Sequence, residues 1–338
     1  MKIIFLYLFL FSESYASILI SHRGVNQNYH RTGLKNDTCT ASRINSIEHD
    51  FLENTIESIE AAFNFGADMV ELDIHPTTEI NGVDELVVFH DYTLDCRTEA
   101  RCDLGCLCST MPDDDDDKKV CITNQQSLNY IQSLDIGYGY TADNGQTFPF
   151  RGRNHYRVPT FTQVLDVLIN YPEKTLLVNV KAEKIRTLSA FITVIKEYDN
   201  SVRSRILYPY SFAEGSKDEL VKLGVQDQIN QKDEDCLVKY LKTGWYGHFP
   251  KECHHKKLFI PIRQTLERVL GKPGRHVKFT SILWGWPEKF IKLAHNNGTK
   301  VYASQVDSLH EYDEMIKLDL DGIMTNKIEL IGPYSQKK

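Results

Sequence analysis

Two alternating periodicities constrain this chain most. Short β-branched runs at 18–21, 69–74, 86–89, 175–180, 205–208, 258–261, 300–303 and 322–324 are separated by longer segments, several with apolar residues at helical spacing. Residues 53–65 carry Ile56, Ile59, Ala62 and Phe63 on one face and stop at Gly66, as helices commonly do. Residues 162–170, 185–198, 287–296 and 308–318 read the same way. The pattern predicts an α/β chain folded as a (β/α)8 TIM barrel, with a doubly wound open sheet as the alternative. With 338 residues, 41% of them hydrophobic, there is apolar material for one large core, and we place a single barrel domain at 17–338.

Two stretches interrupt the alternation and are expected as long insertions after strands 1 and 3. One, at about 24–50, is polar; the other, at about 91–152, contains five of the eight cysteines, an acidic run at 113–117 and the aromatic residues Tyr138, Tyr140, Phe148 and Phe150. Structureless loops of such length are usually functional lids or disordered segments. The first 16 residues read as a secretory signal peptide: Lys2, an apolar run at 3–11, and a cleavage site after Ala16. That run falls short of the roughly 20 residues of a membrane span, and no other stretch reaches it. An even number of cysteines, all beyond residue 16, agrees with a secreted, disulfide-bonded protein. Zinc is disfavoured, because no C-x-x-C pair occurs. Asn36 and Asn297 open formal glycosylation sequons. The net charge of −7 argues against a nucleic-acid-coating role.

In a barrel the chemistry stands at the C-terminal strand ends. The first strand ends in Ser21-His22-Arg23-Gly24 and the third in Val88-Phe89-His90-Asp91. In the second, alternation puts Glu71, Asp73 and His75 on one face; in the fourth it pairs Asn179 with Lys181. Each has a plain reading as surface or cap. Together they do not, because buried carboxylates about 7 Å apart along one strand are costly unless a cation joins them. A hard divalent ion, Mg²⁺ or Ca²⁺, suits such oxygen ligands. That ion with Lys181 and Arg23 leaves the cleft net positive, fit for a phosphate, and two imidazoles supply proton transfer near neutral pH. A phosphodiesterase, a phosphatase or a sugar isomerase meets these terms.

In order, His22-Arg23-Gly24, Glu53-Asn54-Thr55, Phe65-Gly66-Ala67, Glu71-Leu72-Asp73, His90-Asp91, Lys181 and Asp321-Gly322-Ile323-Met324-Thr325-Asn326 resemble the glycerophosphodiester phosphodiesterase family. The set spans nearly the whole chain beyond residue 16. The resemblance implies a TIM barrel that hydrolyses glycerophosphodiesters to glycerol 3-phosphate and an alcohol with one divalent cation. It makes His22 and His90 the general acid/base pair, Glu71 and Asp73 metal ligands, and Arg23 and Lys181 phosphate contacts. Glu53 becomes a ligand or a residue just behind one. Where many members have a metal-binding Glu, this chain has Asn179, whose carbonyl can ligate but carries no charge. Glu183 and His75 are candidate compensations. Asn326 stands where Asp is commoner.

The expected partner is a small-molecule or lipid-derived phosphodiester, not nucleic acid, met outside the cytoplasm. Rival readings are a phospholipase D-like hydrolase of lysolipids or sphingomyelin, and a catalytically silent barrel that binds phosphate or lipid headgroups. Tyr138, Tyr140 and Phe148 are candidates for a lid. His254 and His255 read as solvated, His295 as a helix-end cation, and Trp284 and Trp286 as packing residues.

Overall fold

A computed structural model describes residues 17–30, 33–34, 38–78, 84–110, 119–153, 157–213, 215–231, 234–244, 247–261 and 288–337. The expected signal segment, the acidic run at 113–117, Asn36, Trp284 and Trp286 lie outside them. The strands in chain order are β1 (Ile18–His22), β2 (Met69–Pro76), β3 (Leu86–Val88), β4 (Ser109–Thr110), β5 (Lys119–Val120), β6 (Thr175–Val180), β7 (Ile206–Tyr208), β8 (Gln226–Asp227), β9 (Asn230–Gln231), β10 (Lys257–Pro261), β11 (Lys300–Ser304) and β12 (Gly322–Thr325).

The parallel sheet runs β8-β7-β6-β2-β1-β12-β11-β10-β9. Its two ends, β8 and β9, are successive pieces of one stretch of chain, the first paired to β7 and the second to β10. The sheet therefore curls until it meets itself, which is the TIM-like barrel. Ile20, Met69, Leu177, Leu207, Ile229, Phe259, Tyr302 and Met324, one from each of the stretches around the ring, form a separate apolar cluster inside it. Residues of opposite parity, such as Val70, Leu72, Ile74, Leu176 and Val178, pack outward on helices Ile56–Asn64, Phe161–Ile169 and Lys184–Lys196.

The third expected barrel strand is corrected. β3 pairs antiparallel with β2, Ile74 opposite Val88, and stands off the ring. The link at 77–85 is too short for a parallel crossover, which requires a dozen residues or more. The missing ring member is the polar stretch 226–231, which has no β-branched run to announce it.

The described parts of the insertions are packed structure. Ala41 and Ile44 from the first, with Leu52 just beyond it, join Leu94, Ala100, Ile131, Leu134, Ile136, Tyr140 and Phe150 from the second in a core of their own. Four disulfides take all eight cysteines: Cys39–Cys96, Cys102–Cys108, Cys106–Cys121 and Cys236–Cys253. Tyr140 is buried in that core, so it does not belong to a lid; Tyr138 and Phe148 flank the Arg151 guanidinium. The Asn297 sequon is internally engaged, with the amide on Leu293 O at 2.8 Å and Thr299 buried. His254 stacks on Phe249, and His295 pairs with Asp321 at 2.9 Å.

Candidate active site

The strand register builds the site. β1 and β2 pair so that His22 lies beside Glu71, and β2 and β6 so that Asp73 lies beside Asn179. All four share the parity of the interior residues Ile20, Met69 and Leu177, placing them at the C-terminal mouth of the ring. Lys181 follows two residues beyond Asn179, on the same face. The chain leaves β1 through two residues in left-handed conformation, Arg23 (φ 63°) and Gly24 (φ 72°). A Cβ on Gly24 would meet the Ser58 backbone at 2.9 Å. A non-glycine held at positive φ is strain stored beside the functional residues.

Arg23 turns inward, its Nη1 3.0 Å from Glu53 Oε1 and its Nε 3.1 Å from Asp73 Oδ2. Burial opposes charge on Arg23, but Glu53 and Asp73 outweigh it and hold the guanidinium firmly protonated. Glu53 precedes a helix opened by the Thr55–Ser58 capping box, which fixes where it and Asn54 stand. A second guanidinium, Arg97 Nη2, reaches Glu53 Oε1 at 3.2 Å. Although burial pushes Glu53 up, Arg97 and Arg23 bring its pKa below the usual range. Glu53 thus stands between two arginines.

Asp73 is fully buried and heavily partnered. Asn54 Nδ2 donates to Oδ2 at 3.1 Å, Asn179 Nδ2 donates to Oδ1 at 2.8 Å, and Lys181 Nζ lies 3.8 Å from Oδ1. Burial alone would raise its pKa; Arg23, His90, Lys181 and His22 together hold it well below the carboxylate range. Both imidazoles therefore lie within electrostatic reach of one carboxylate. Glu71 is the contrast. Its Oε2 is buried with no hydrogen-bond partner and faces His22 Nε2 at 3.7 Å. Burial and the charge of Asp73 drive its pKa upward. A buried carboxylate oxygen with nothing to bind is costly, and the group fits a place for a cation.

The two imidazoles are held differently. His22 Nδ1 lies 2.7 Å from Asn326 Oδ1, and the Asn326 amide nitrogen donates to Asp307 Oδ1 at 3.0 Å. That partnership makes Nδ1 the protonated nitrogen and leaves Nε2 as acceptor. Burial and then the Arg23 charge lower the His22 pKa to about 4. His90 Nδ1 instead lies 2.6 Å from the carboxylate of Asp91, which Arg97 Nε grips at 2.7 Å. His22 and His90 keep 22% and 25% of their side-chain surface exposed, enough to meet a ligand from the mouth.

The structure brings His22, Arg23, Glu53, Glu71, Asp73, Asn179 and Lys181 together directly, with His90 delivered by the chain after β3. Glu183 lies apart from these contacts, accepting from Asn124 at 3.4 Å. His75 is buried, its Nε2 3.4 Å from His90 O, and burial lowers its pKa to about 4. Among the described residues, the only trio of His, Cys, Asp or Glu ligand atoms lying close together is Cys106, Cys108 and Cys121, all of them in disulfides. Sequence reasoning missed Arg97, hidden within the cysteine cluster, and the role of Asn326 behind His22. Asn54 was visible only as the middle of Glu53-Asn54-Thr55.

Comparison with known proteins gives the family and the fold. The model of the glycerophosphoryl diester phosphodiesterase family matches residues 22–330. A glycerophosphodiester phosphodiesterase of Caldanaerobacter subterraneus subsp. tengcongensis is 24% identical over 284 residues, which is 82% of this chain and 90% of that one. Among solved structures, the glycerophosphoryl diester phosphodiesterase domain of a Mycobacterium tuberculosis protein superposes with a TM-score of 0.60 at 16% identity, covering 95% of this chain and 98% of that one. A phosphodiesterase of Oleispira antarctica, solved with the product sn-glycerol-3-phosphate, gives 0.56 at 14% identity, covering 95% and 98%. The chain belongs to the glycerophosphoryl diester phosphodiesterase family, and so to the phosphoric diester hydrolases.

Proposed function

We propose that this protein hydrolyses glycerophosphodiesters by proton transfer between two unlike histidines, in the presence of one divalent cation held by Glu71 and Asp73. The observation that carries the reading is the orphaned Glu71 Oε2 beside the heavily partnered Asp73, with a neutral-type and a carboxylate-paired imidazole close by. A cation of the Mg²⁺ or Ca²⁺ class would supply Lewis-acid stabilisation of the phosphoryl charge. Glu53, paired to two guanidiniums, acts behind the ligands, and Asn179 donates to Asp73.

The chain's own groups account for the remaining chemistry. His22, protonated on Nδ1 through Asn326, offers Nε2 to take the proton from the glycerol 2-hydroxyl or from water. His90, its Nδ1 on Asp91, is suited to carry a proton on Nε2 and deliver it to the leaving alkoxide. Arg23 and Lys181 place positive charge where the phosphoryl oxygens would lie. The product complex of the Oleispira antarctica phosphodiesterase supports glycerol 3-phosphate as the retained half. Four disulfides support folding in an oxidising, extracytoplasmic compartment. Among the described residues, no helix is long and apolar enough to cross a membrane.

A substrate panel tests the reading. The purified chain should release glycerol 3-phosphate and free alcohol from glycerophosphocholine and glycerophosphoethanolamine. Choline release from lysophosphatidylcholine or sphingomyelin, with none from glycerophosphocholine, would replace it with the phospholipase D-like reading. Leu104 and Leu107, exposed on the disulfide-tethered insertion, give that second reading its physical basis. No turnover of any diester would leave a phosphate- or headgroup-binding barrel.

A further inference from the structure

The geometry points to Arg97 as a positioning residue that ties the two disulfide-linked insertions to His90 through Asp91 and to Arg23 through Glu53. This rests on the reading of His90 as a proton-transfer residue. Arg97 is 2% exposed and lies in the second insertion, six residues beyond Asp91. Its guanidinium spends every nitrogen: Nε on Asp91 Oδ2 at 2.7 Å, Nη2 on Glu53 Oε1 at 3.2 Å and Thr40 Oγ1 at 2.8 Å, and Nη1 on the Tyr140 hydroxyl. Nη2 also reaches the second oxygen of Asp91 at 3.5 Å, so the planar fork sets the plane of that carboxylate. The same carboxylate fixes the His90 ring.

What places Arg97 is the insertion. Cys96 and Arg97 of the second insertion engage Cys39 and Thr40 of the first, one pair by a disulfide and the other by a hydrogen bond. Gly139 N donates to Arg97 O at 3.2 Å, and Thr141 N donates to Ala41 O at 3.0 Å, closing the clasp from the other side. The barrel thus supplies His22 and the carboxylates, while the insertions supply the support of the second histidine. A lysine at 97 keeps the charge but has no fork, so Asp91 would be free to turn and carry His90 away from its working position. Misplacement on the scale of an ångström costs about a hundredfold in rate.

The test compares wild type with Arg97→Lys, Arg97→Ala and the double variant Cys39→Ala/Cys96→Ala. Steady-state kinetics should show kcat falling by about 10- to 100-fold in Arg97→Lys with KM little changed. Guanidinium added to Arg97→Ala should restore part of the loss, which general stabilisation would not do. The double cysteine variant should lose kcat in the same direction. A second readout needs no substrate: the downfield proton resonance of His90 Nδ1–H, assigned by its loss in His90→Gln, should be present in wild type and absent in both Arg97 variants. A folded Arg97→Lys with wild-type kcat and an unchanged His90 resonance would overturn the proposal. Failure of the hydrolytic reading would show separately, as an inactive wild type, and the resonance would still decide the role of Arg97.

Discussion

Asp73 and Glu71 share a strand, a face and a buried setting, yet their circumstances are opposite. Asp73 accepts from two asparagines and faces two cations; Glu71 has an oxygen with no donor. Asn179 contributes to that difference by donating its amide to Asp73, where a glutamate would add a third negative charge. Asn179→Glu should therefore be less stable than wild type in chelator, because like charges would be buried together. Added Mg²⁺ or Ca²⁺ should then raise its melting temperature by more than it raises that of wild type. Thermal unfolding with and without cation checks this; equal shifts in both proteins would contradict it. The residues themselves were legible in the chain, since strand alternation alone puts Glu71 and Asp73 on one face. Their unequal partnering was not, because it depends on Asn54 and Arg23, which come from other segments and are oriented by positive-φ backbone.

At the scale of elements, strands with β-branched runs announced themselves and polar ones did not. The stretch 226–231 completes the ring through backbone pairing, with Ile229 as its inward apolar contribution. β3 looked like its neighbours in composition, yet the short link before it forces an antiparallel turn. The insertions were visible as interruptions, but nothing in their spacing showed that they carry a core and a buried arginine. Gly139 tests how tightly this insertion is fitted. A Cβ there would run into the Cys96 carbonyl oxygen, so Gly139→Ala must displace the backbone that carries Cys96 and Arg97. The variant should lose about 1–3 kcal/mol of stability and a larger share of kcat than of substrate affinity. Denaturant unfolding and steady-state kinetics measure both; an unaltered kcat would show that the clasp tolerates movement.

The whole molecule combines a barrel, an insertion core and four disulfides, and one carboxylate outside the strand-two pair shapes its pH response. Glu329, at the start of the C-terminal helix Ile328–Ser335, has both carboxylate oxygens buried without hydrogen-bond partners, and burial raises its pKa to about 7. Its neutral form is favoured on folding, so the stability it contributes is complete below the unfolded pKa of 4.5 and is lost as pH rises through about 7. Glu329→Gln should thus gain up to about 3 kcal/mol at pH 8 relative to wild type and little at pH 4. Denaturant melts at the two pH values decide it; an equal effect at both, or a larger one at pH 4, would contradict it.

On the proposed reading, the unpartnered oxygen of Glu71 holds a divalent cation in the barrel mouth. Calorimetric titration of chelator-stripped protein with Mg²⁺ and Ca²⁺, run beside Glu71→Gln and paired with glycerol 3-phosphate release, tests it most directly. Expected are one saturable site in wild type, activity that returns as the site fills, and loss of both in a variant that remains folded. Full turnover by the stripped protein, or cation binding undiminished in Glu71→Gln, would contradict it.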